Sequence, residues 1–326
     1  MTLFKNKKVL VTGGTGMVGQ QLVPKLIQHG AKVFVASLDH KSLVNQDIDD
    51  FYQLDLSNLD NCIKIMDGKN IVINLLGVTG SPLLNETKPA TFMMSNLYCA
   101  INPLMAAQIS GVENYLYTST YGVYAPSKIM TEEDVWKTFP SEHDKYAGWA
   151  KRIGELQVEA YKKEYNFKSI HIVRPANIYG PFANFNPESS MVVSSLIKRV
   201  EDGENPIKVW GDGSSIRDFI YSSDVADAMI AVMEKNIQNP INIGSGVGVS
   251  IKELVETIIS IKNDNSLIIN YDLSKPKGDL IRILDTSYAQ KNNIKPSVSL
   301  REGLSKTIDW YKNNKSSIEK RFNQFK

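Results

Sequence analysis

Residues 11–19 read VTGGTGMVG, and this stretch decides the fold of the chain. The residues KKVLVTG that run into it have the pattern of a buried strand, and a helical pattern follows over residues 17–29. Gly13, Gly16 and Gly19 have the spacing G-x-x-G-x-x-G. Residues without a Cβ let the backbone turn tightly and approach a pyrophosphate, which then rests on the positive N-terminus of the helix. Strand, glycine turn and helix together predict a dinucleotide-binding unit.

The alternation of strand and helix continues through the first half of the chain. Four further apolar runs have the pattern of buried strands: KVFVASL, NIVINLLG, NYLYTST and SIHIVRP. Segments of helix length separate them, which is typical of βαβ units and a parallel sheet. We therefore expect an α/β fold, a Rossmann-type doubly wound parallel sheet.

The pattern changes after Pro175. Loops rich in proline, asparagine and glycine then separate three helical patterns, near residues 191–202, 250–262 and 300–313. This predicts a smaller C-terminal α/β lobe that binds the substrate and whose loops close over the first lobe. The predicted division assigns residues 1–175 plus about 216–246 to the dinucleotide-binding domain, and about 176–215 and 247–326 to the substrate lobe.

The composition excludes several classes of protein. The 326 residues carry a formal net charge of +2, so no strong field favours nucleic acid or an acidic membrane. Cys62 and Cys99 are typical of reduced thiols rather than of a disulfide scaffold. No apolar run approaches the ~20 residues that span a bilayer, and the chain begins without a secretory signal. We expect a cytoplasmic protein without nucleic-acid or membrane partners and without a metal site.

The end of the second predicted strand bears on the choice of coenzyme. In an NAD-binding fold this position usually carries an acid that binds the ribose hydroxyls, and here it holds Ser37. A small hydroxyl with His40 and Lys41 nearby leaves room for a 2′-phosphate, whereas Asp39 is an alternative ligand for the ribose. We expect NADP or NAD, with NADP preferred. Asp55, in LDLSN, is either an adenine contact or a cap for the next helix.

Motifs beyond residue 114 make a resemblance to a known family specific. YTSTYGVY, GWAKRIGE and RPANIYGP resemble the hydroxyl-bearing strand end, the lysine helix and the substrate loop of the extended short-chain dehydrogenase/reductases, also called NAD-dependent epimerase/dehydratases. VWGDGSSIRDFIYSSDVADAM, INIGSG and KPKGDLIRILD resemble the GDP-fucose-synthase branch in order and spacing. The similarity covers nearly the whole chain. It implies hydride chemistry on a nucleotide sugar.

The resemblance also implies the catalytic positions. In such enzymes a tyrosine, a lysine four residues later and a Ser/Thr hydroxyl act as one unit, in which the tyrosinate takes a proton from a sugar hydroxyl. Thr120 matches the hydroxyl, and Lys151 matches the lysine that also holds the nicotinamide ribose. Ala147 stands at the tyrosine position, and alanine cannot transfer a proton. The nominal acid–base group is therefore Tyr146, one residue earlier.

Three explanations of Ala147 stay open. SEHD at residues 141–144 has the pattern of a capping box, so the helix already runs through this region and turns Tyr146 about 100° away from the lysine face. A local π-bulge would bring Tyr146 into the site. Alternatively Tyr121 or a substrate hydroxyl takes over the proton transfer. The third explanation is that the tyrosine was replaced deliberately to trap a complex. The residues expected to contact the coenzyme are Gly13, Gly16, Met17, Val18, Gly19, Ser37, Asp39, Asp55, Leu56, Leu76, Gly77 and Lys151.

Two further positions narrow the expected chemistry. GDP-fucose synthases use a cysteine and a histidine to invert two carbons, and here Gly122 and Met191 occupy those positions. Nucleotide-sugar 4,6-dehydratases carry an Asp-Glu pair after the threonine, where this chain has Tyr121 and Gly122. Double epimerisation and dehydration are therefore not expected. Ketoreduction or oxidation at a ring carbon remains, or a reversible version that epimerises it.

Substrate contacts are implied by the same resemblance. Asn177 matches an amide near the sugar or pyrophosphate, and Trp210 matches a side chain that stacks on a purine. Arg199, Arg217 and Lys275 match cations that neutralise the diphosphate. Core packing is the structural alternative for Trp210, and a solvated surface is the alternative for Arg199 and Lys275. The expected substrate contacts are Thr120, Tyr121, Asn177, Arg199, Trp210, Arg217 and Lys275, which together favour a GDP-sugar without excluding UDP, CDP or dTDP sugars.

Three functions are compatible with these features. The preferred one is an NAD(P)-dependent oxidoreductase acting on a GDP-hexose or GDP-heptose, and the second is a nucleotide-sugar epimerase that keeps NAD(P) tightly bound. The third is a non-catalytic protein that kept the fold. Family members commonly dimerise through a four-helix bundle, which implies a homodimer through residues about 91–110 and 142–165. The apolar surface of the first segment supports this, although packing within the subunit is the alternative.

Overall fold

A computed structural model of the chain describes residues 2–44, 46–80, 86–264, 266–275 and 278–315. The strands are β1 Lys8–Thr12, β2 Lys32–Ser37, β3 Asp50–Gln53, β4 Ile71–Asn74, β5 Asn114–Thr118, β6 Ser127–Met130, β7 Ile170–Pro175, β8 Asn177–Tyr179, β9 Ile207–Trp210, β10 Ile216–Tyr221, β11 Ile241–Ile243, β12 Gly248–Ser250, β13 Ile269–Asp272 and β14 Ile281–Leu284. The α-helices are α1 Gly19–Gln28, α2 Leu59–Met66, α3 Pro89–Ile109, α4 Lys145–Glu164, α5 Val192–Glu201, α6 Ser222–Glu234, α7 Ile251–Lys262, α8 Ser287–Lys291 and α9 Leu300–Asn314.

Seven parallel strands form the central sheet, in the order β3-β2-β1-β4-β5-β7-β11. The order reverses between β1 and β4, and ligands of such sheets bind beyond the carboxyl ends of the strands at that point. The glycine turn follows β1 there, and residues 118–120 leave β5 on the same edge. The predicted Rossmann-type sheet is confirmed.

Helices cover both faces of this sheet. Successive residues of a strand point to opposite faces, so Val9 and Val11 pack with α1 and α6, whereas Leu10 packs with α2, α3 and α4. Because both faces are buried, the strands are continuous apolar runs rather than alternating ones. The first predicted helix, residues 17–29, is α1. Within the described residues, no helix combines the length and apolar character needed to cross a bilayer.

A second, smaller lobe packs α5, α7 and α9 around its own core. These helices lie where the patterns near 191–202, 250–262 and 300–313 predicted them. Strands β12, β10, β14 and β6 form a sheet to which β8 adds by pairing with β10, and β9 pairs with β13. An α/β lobe after Pro175 was therefore predicted correctly.

The predicted division of the chain needs two corrections. Residues 216–246 were assigned to the dinucleotide-binding part, and β11 indeed joins the central sheet beside β7. Strand β10 instead lies in the second sheet, between β12 and β14. Strand β6, within the predicted range 1–175, also lies there, because it pairs with β14. Strand pairing across long sequence separations decides these memberships, and no local pattern encodes it.

Candidate active site

An open cleft, with a volume of about 1390 Å³, runs between the carboxyl edge of the central sheet and the second lobe. Sites for one drug-sized ligand have about 300–1,000 Å³, so the cleft has room for a dinucleotide and a second ligand. Every residue predicted to contact the coenzyme lines it. Among the residues predicted for the catalytic and sugar-contact positions, Thr120, Tyr121, Lys151 and Asn177 line it as well.

The glycine turn brings backbone, rather than side chains, to the cleft. Gly13 has a φ of +72°, a conformation that side-chain-bearing residues rarely adopt. A Cβ on Gly19 would lie 2.5 Å from Gly14 Cα, so the start of α1 packs directly against the turn. This close approach lets α1 begin directly at the turn, where a pyrophosphate is expected to bind.

Three side chains close a ring of hydrogen bonds at the end of β2. Thr15 Oγ1 donates to Asp39 Oδ2 at 2.7 Å, and the Asp39 N–H donates to Ser37 Oγ at 3.1 Å. Because the Thr15 proton is used, Ser37 Oγ donates to Thr15 Oγ1 across 2.7 Å. All three residues line the cleft. The ring therefore fixes a carboxylate at the position where the adenine ribose of a dinucleotide is expected.

Asp55 is not the cap of the next helix. Asn58 caps α2 and accepts from the N–H groups of Asp60 and Asn61 at 2.8 and 3.3 Å. Asp55 Oδ1 instead accepts from the Ser57 N–H at 2.9 Å, and Asp55 lines the cleft. Of the two roles left open by the sequence, the structure excludes the cap, and the adenine contact stays a prediction.

Lys151 is buried in α4 with its ammonium group at the cleft. Its Nζ donates to the Leu76 carbonyl at 2.8 Å and to the Thr118 carbonyl at 2.9 Å, so one of three protons is left for a ligand. Burial lowers the pKa of Lys151 from 10.5 to about 8, against the opposing effect of Cys99 and Glu155.

Thr118 Oγ1, in the same cleft wall, is buried and has no hydrogen-bond partner among the described residues. An orphaned hydroxyl beside a buried ammonium fits a polar ligand such as the ribose of a coenzyme. Glycine turn, carboxylate ring, ammonium and orphaned hydroxyl together fit a nicotinamide dinucleotide.

Ala147, not Tyr146, faces the cleft. Segment 145–164 is α-helical from its first residue, without the π-bulge that would rotate Tyr146 inward. Ala147 lines the cleft on the face of Lys151, four residues on, whereas Tyr146 is absent from its lining. The assignment of Tyr146 as the acid–base group is therefore corrected, because the side chain one residue from Ala147 points about 100° away.

The predicted capping box also differs in detail. Glu142–Asp144 is a short 3₁₀ turn before α4, and Ser141 Oγ accepts from the His143 N–H at 3.2 Å. The Asp144 carboxylate does not return to Ser141 but pairs with Arg282.

Thr120 and Tyr121 follow the end of β5 and line the cleft together with Lys151. Thr120 Oγ1 accepts from the Gly122 N–H at 3.1 Å, which turns the chain into the cleft wall. Tyr121 OH donates to Asn177 Oδ1 at 2.7 Å, and Asn177 Nδ2 donates to the Asp218 carbonyl at 2.9 Å. Burial raises the pKa of Tyr121, against the opposing effect of the Arg282 guanidinium. Tyr121 is therefore a neutral phenol whose proton is held by Asn177.

The other predicted substrate residues do not line the cleft in this structure. Arg199 Nη1 lies 2.9 Å from Glu204 Oε1, and Lys275 Nζ lies 5.9 Å from the centre of the Trp210 ring. Arg217 Nη1 donates to the Ile216 carbonyl at 2.9 Å. Arg199 is partly exposed and Lys275 is exposed, in line with their structural alternative, whereas Trp210 and Arg217 are only partly buried. Contact of these residues with a nucleotide stays a prediction.

Sequence reasoning missed several residues at the site. Thr15 stands inside the glycine turn, and its hydroxyl was a visible signal. Asp144 stands three residues before Ala147, a spacing that places it on the same helix face. Arg282 carried no signal, because only the tertiary structure brings it to Asp144.

A cleft lined by a glycine turn, a buried lysine and a threonine defines the class of extended short-chain dehydrogenase/reductases. The NAD dependent epimerase/dehydratase family matches residues 9–244, and the chain belongs to this family. The predicted family is thereby confirmed.

Similar proteins act on several nucleotide sugars according to their names. The probable GDP-L-fucose synthase 1 of Oryza sativa subsp. japonica is 31% identical, over 97% of this chain and 95% of its own. GDP-mannose 3,5-epimerase of Arabidopsis thaliana is 26% identical, over 94% of this chain and 83% of its own. The solved structure of UDP-glucose 4-epimerase from Thermotoga maritima, with UDP-glucose, has a TM-score of 0.82 and 28% identity, over 94% of this chain and 99% of its own.

Proposed function

We propose that this chain is an NAD(P)-dependent oxidoreductase that reduces a 4-keto group or oxidises a hydroxyl of a nucleotide sugar, a GDP-hexose or GDP-heptose. The observation that carries the proposal is that the Lys151 ammonium, Thr120 and the glycine turn line one cleft. The coenzyme supplies hydride transfer when it is bound. Lys151 would hold its ribose, and Thr120 would hold the reacting sugar oxygen. The names of the similar synthase and epimerase support the GDP-sugar.

The cleft wall supports a reaction without double epimerisation. Gly122 and Met191 occupy the positions of the cysteine and histidine of GDP-fucose synthases, and both line the cleft. Neither side chain can move a proton. No histidine occurs among the described residues that line the cleft. The proposed chemistry is therefore confined to the carbon that exchanges a hydride.

The test is coenzyme and substrate binding followed by turnover. Calorimetry with NAD+ and NADP+ comes first, and the absence of binding by both would refute the proposal. The enzyme is then mixed with reduced coenzyme and a GDP-4-keto-6-deoxyhexose, or with oxidised coenzyme and GDP-mannose or GDP-L-fucose. An oxidoreductase changes the absorbance at 340 nm stoichiometrically. Sugar conversion without a net absorbance change would instead favour the epimerase, and bound coenzyme without any conversion would favour a non-catalytic protein.

For the coenzyme we propose NAD rather than NADP, which reverses the preference predicted from the sequence. The Asp39 carboxylate is held in the cleft by Thr15, at the end of the strand where a ribose acid is expected. A carboxylate accepts the hydrogen bonds of a ribose diol but repels a 2′-phosphate.

Replacing Asp39 by serine is expected to remove this discrimination. Wild-type protein should bind NAD+ at least about tenfold more tightly than NADP+, or about 1.4 kcal/mol. Asp39→Ser should weaken the binding of NAD+, and it should leave the binding of NADP+ unchanged or make it tighter. Asp49→Ser, which removes an exposed carboxylate outside the cleft, is the matched control. Calorimetry that finds NADP+ preferred by the wild-type protein contradicts the proposal.

We also propose a homodimer through α3 and α4. The two helices pack on each other, yet Ile109, Ile153 and Leu156 are 37–54% exposed on them and lie outside the cleft. Apolar surface of this extent on adjacent helices is typical of an interface. Leu156→Glu is expected to give a monomer in light scattering, whereas Ile129→Glu, at a 57% exposed position on β6, should not. A monomeric wild-type protein would contradict the dimer.

A further inference from the structure

The cleft lacks a proton carrier at the expected position. Ala147 and Lys151 both line it on one face of α4, and alanine has no group that can transfer a proton. Tyr146 does not line the cleft, and Tyr121 already donates its proton to Asn177. A hydride transfer at a carbon bearing oxygen requires a group that gives or takes a proton at that oxygen.

Asp144 lies where a side chain at position 147 would reach. It is the last residue of the 3₁₀ turn before α4, three residues from Ala147, and it lines the cleft. Side chains of a helix lean toward its N-terminus, so a residue covers the surface over the turn before its own Cα. A tyrosine at position 147 would therefore have covered the region that the Asp144 carboxylate occupies.

The turn that carries Thr120 lies directly against this end of the helix. A Cβ on Gly148 would lie 2.4 Å from the Gly122 carbonyl oxygen, so the two backbones touch. A Cβ on Gly122 would lie 3.5 Å from Asp144 Cγ and 3.4 Å from Thr120 Cγ2. Asp144 and Thr120 thus flank the same point of the cleft wall.

One oxygen of this carboxylate is anchored and the other is not. Arg282 Nη1 donates to Asp144 Oδ2, and the Arg282 side chain is only 4% exposed. Its guanidinium lies 4.5 Å from the centre of the Tyr121 ring, which fixes its position. The Asp144 side chain is 34% exposed, and its Oδ1 accepts no hydrogen bond within the described part of the chain. Arg282 therefore positions a carboxylate with one oxygen available to a ligand.

We propose that Asp144 is the proton-transfer group of this enzyme, an assignment that rests on the proposed function. When a sugar hydroxyl is oxidised, its O–H bond breaks and the proton passes to Asp144 Oδ1, while the hydride leaves the same carbon for the oxidised coenzyme. When a keto group is reduced, the proton returns to the oxygen. Thr120 would hold the same reacting oxygen, and Arg282 is a positioning residue for the Asp144 carboxylate.

The experiment compares wild type with Asp144→Asn, Asp144→Ala and Glu142→Gln. Glu142 is a carboxylate on the same 3₁₀ turn, 82% exposed and outside the cleft, and is the matched control. Turnover is measured with GDP-mannose and GDP-L-fucose, and calorimetry measures NAD+ affinity and, without coenzyme, the affinity for each sugar. Asp144→Asn is expected to lose about 10²–10⁴-fold in kcat while binding NAD+ within about twofold of wild type. Asp144→Ala should bind the active sugar about tenfold more weakly, because a charged hydrogen bond is lost.

Each alternative result has one meaning. Turnover of Asp144→Asn within about threefold of wild type overturns the assignment, and so does unchanged sugar affinity in Asp144→Ala. A loss of turnover accompanied by an equal loss of NAD+ affinity makes the pair with Arg282 structural, and overturns the assignment too. Wild-type protein that binds NAD+ but converts neither sugar, and that also fails to reduce a GDP-4-keto-6-deoxyhexose with reduced coenzyme, refutes the proposed function itself, and this is seen before any variant is measured.

Discussion

Replacing Lys151 by methionine is expected to lower kcat/KM by at least about 10²–10⁴-fold, the range that positioned proton-transfer groups contribute. Lys151 carries the ammonium group in the catalytic wall of the cleft, and methionine keeps its length and apolar stem without the charge. Lys162→Met, on the same helix but outside the cleft, is the matched control and should keep wild-type activity. Turnover of Lys151→Met within about tenfold of wild type would contradict the role of the ammonium.

The pH dependence follows from the same residue. Because burial lowers the pKa of Lys151 to about 8, the side chain is charged below this pH and loses its proton as the pH rises through it. If the charge is required, kcat/KM falls on the alkaline side with a midpoint near pH 8, well below the ordinary value of 10.5. The Lys151→Arg variant stays charged, so its kcat/KM should begin to fall only at higher pH, whatever the absolute activity of the variant. If kcat/KM fell at the same pH in wild type and variant, the alkaline fall would belong to another titrating group.

Replacing Glu155 by alanine is expected to lower the free energy of unfolding by about 3–5 kcal/mol. Glu155 Oε2 and Oε1 lie 2.6 and 2.9 Å from Arg174 Nη2 and Nε, and both side chains are at most 2% exposed. Ser119 Oγ also donates to Glu155 Oε1 at 2.5 Å, directly before Thr120. Alanine would leave the Arg174 charge buried without its partner, and it would free the strand end that carries Thr120.

Urea unfolding measures this effect, and two variants control it. Glu159→Ala, at an exposed position of the same helix, should change stability by less than about 0.5 kcal/mol. Replacing Glu155 and Arg174 together by methionine should recover most of the loss, because no uncompensated charge remains. A small effect of Glu155→Ala, below about 1 kcal/mol, would contradict the account.

Local patterns predicted the coenzyme half of the cleft well. The strand, the glycine turn and the start of α1 are neighbours in sequence, so the positions of Gly13, Gly16 and Gly19 at the cleft follow from spacing alone. The roles of Asp39 and Asp55 did not follow, because they depend on which hydrogen bonds the side chains make. The Asp39 carboxylate binds Thr15, 24 positions away, and this contact is the basis on which we propose NAD rather than NADP.

The substrate half was predicted less well. Tyr146 was proposed as the acid–base group from its type and proximity in sequence, yet the regular helix turns it away from Lys151. Asp144 was treated as part of a helix cap, because its partner Arg282 lies 138 positions later and no local pattern joins them. Arg199 was assigned to a phosphate, and its ion pair with Glu204 was not foreseen.

The amino-acid sequence by itself determined the central sheet, the turn that receives a dinucleotide, and the absence of proton-carrying side chains at positions 122, 147 and 191. These follow from residue type and short-range spacing. Only the tertiary structure decided that burial lowers the pKa of Lys151 to about 8, and that Asp144 faces the cleft with one oxygen held by Arg282. Both depend on desolvation and on contacts between elements far apart in the chain, which local sequence patterns do not encode.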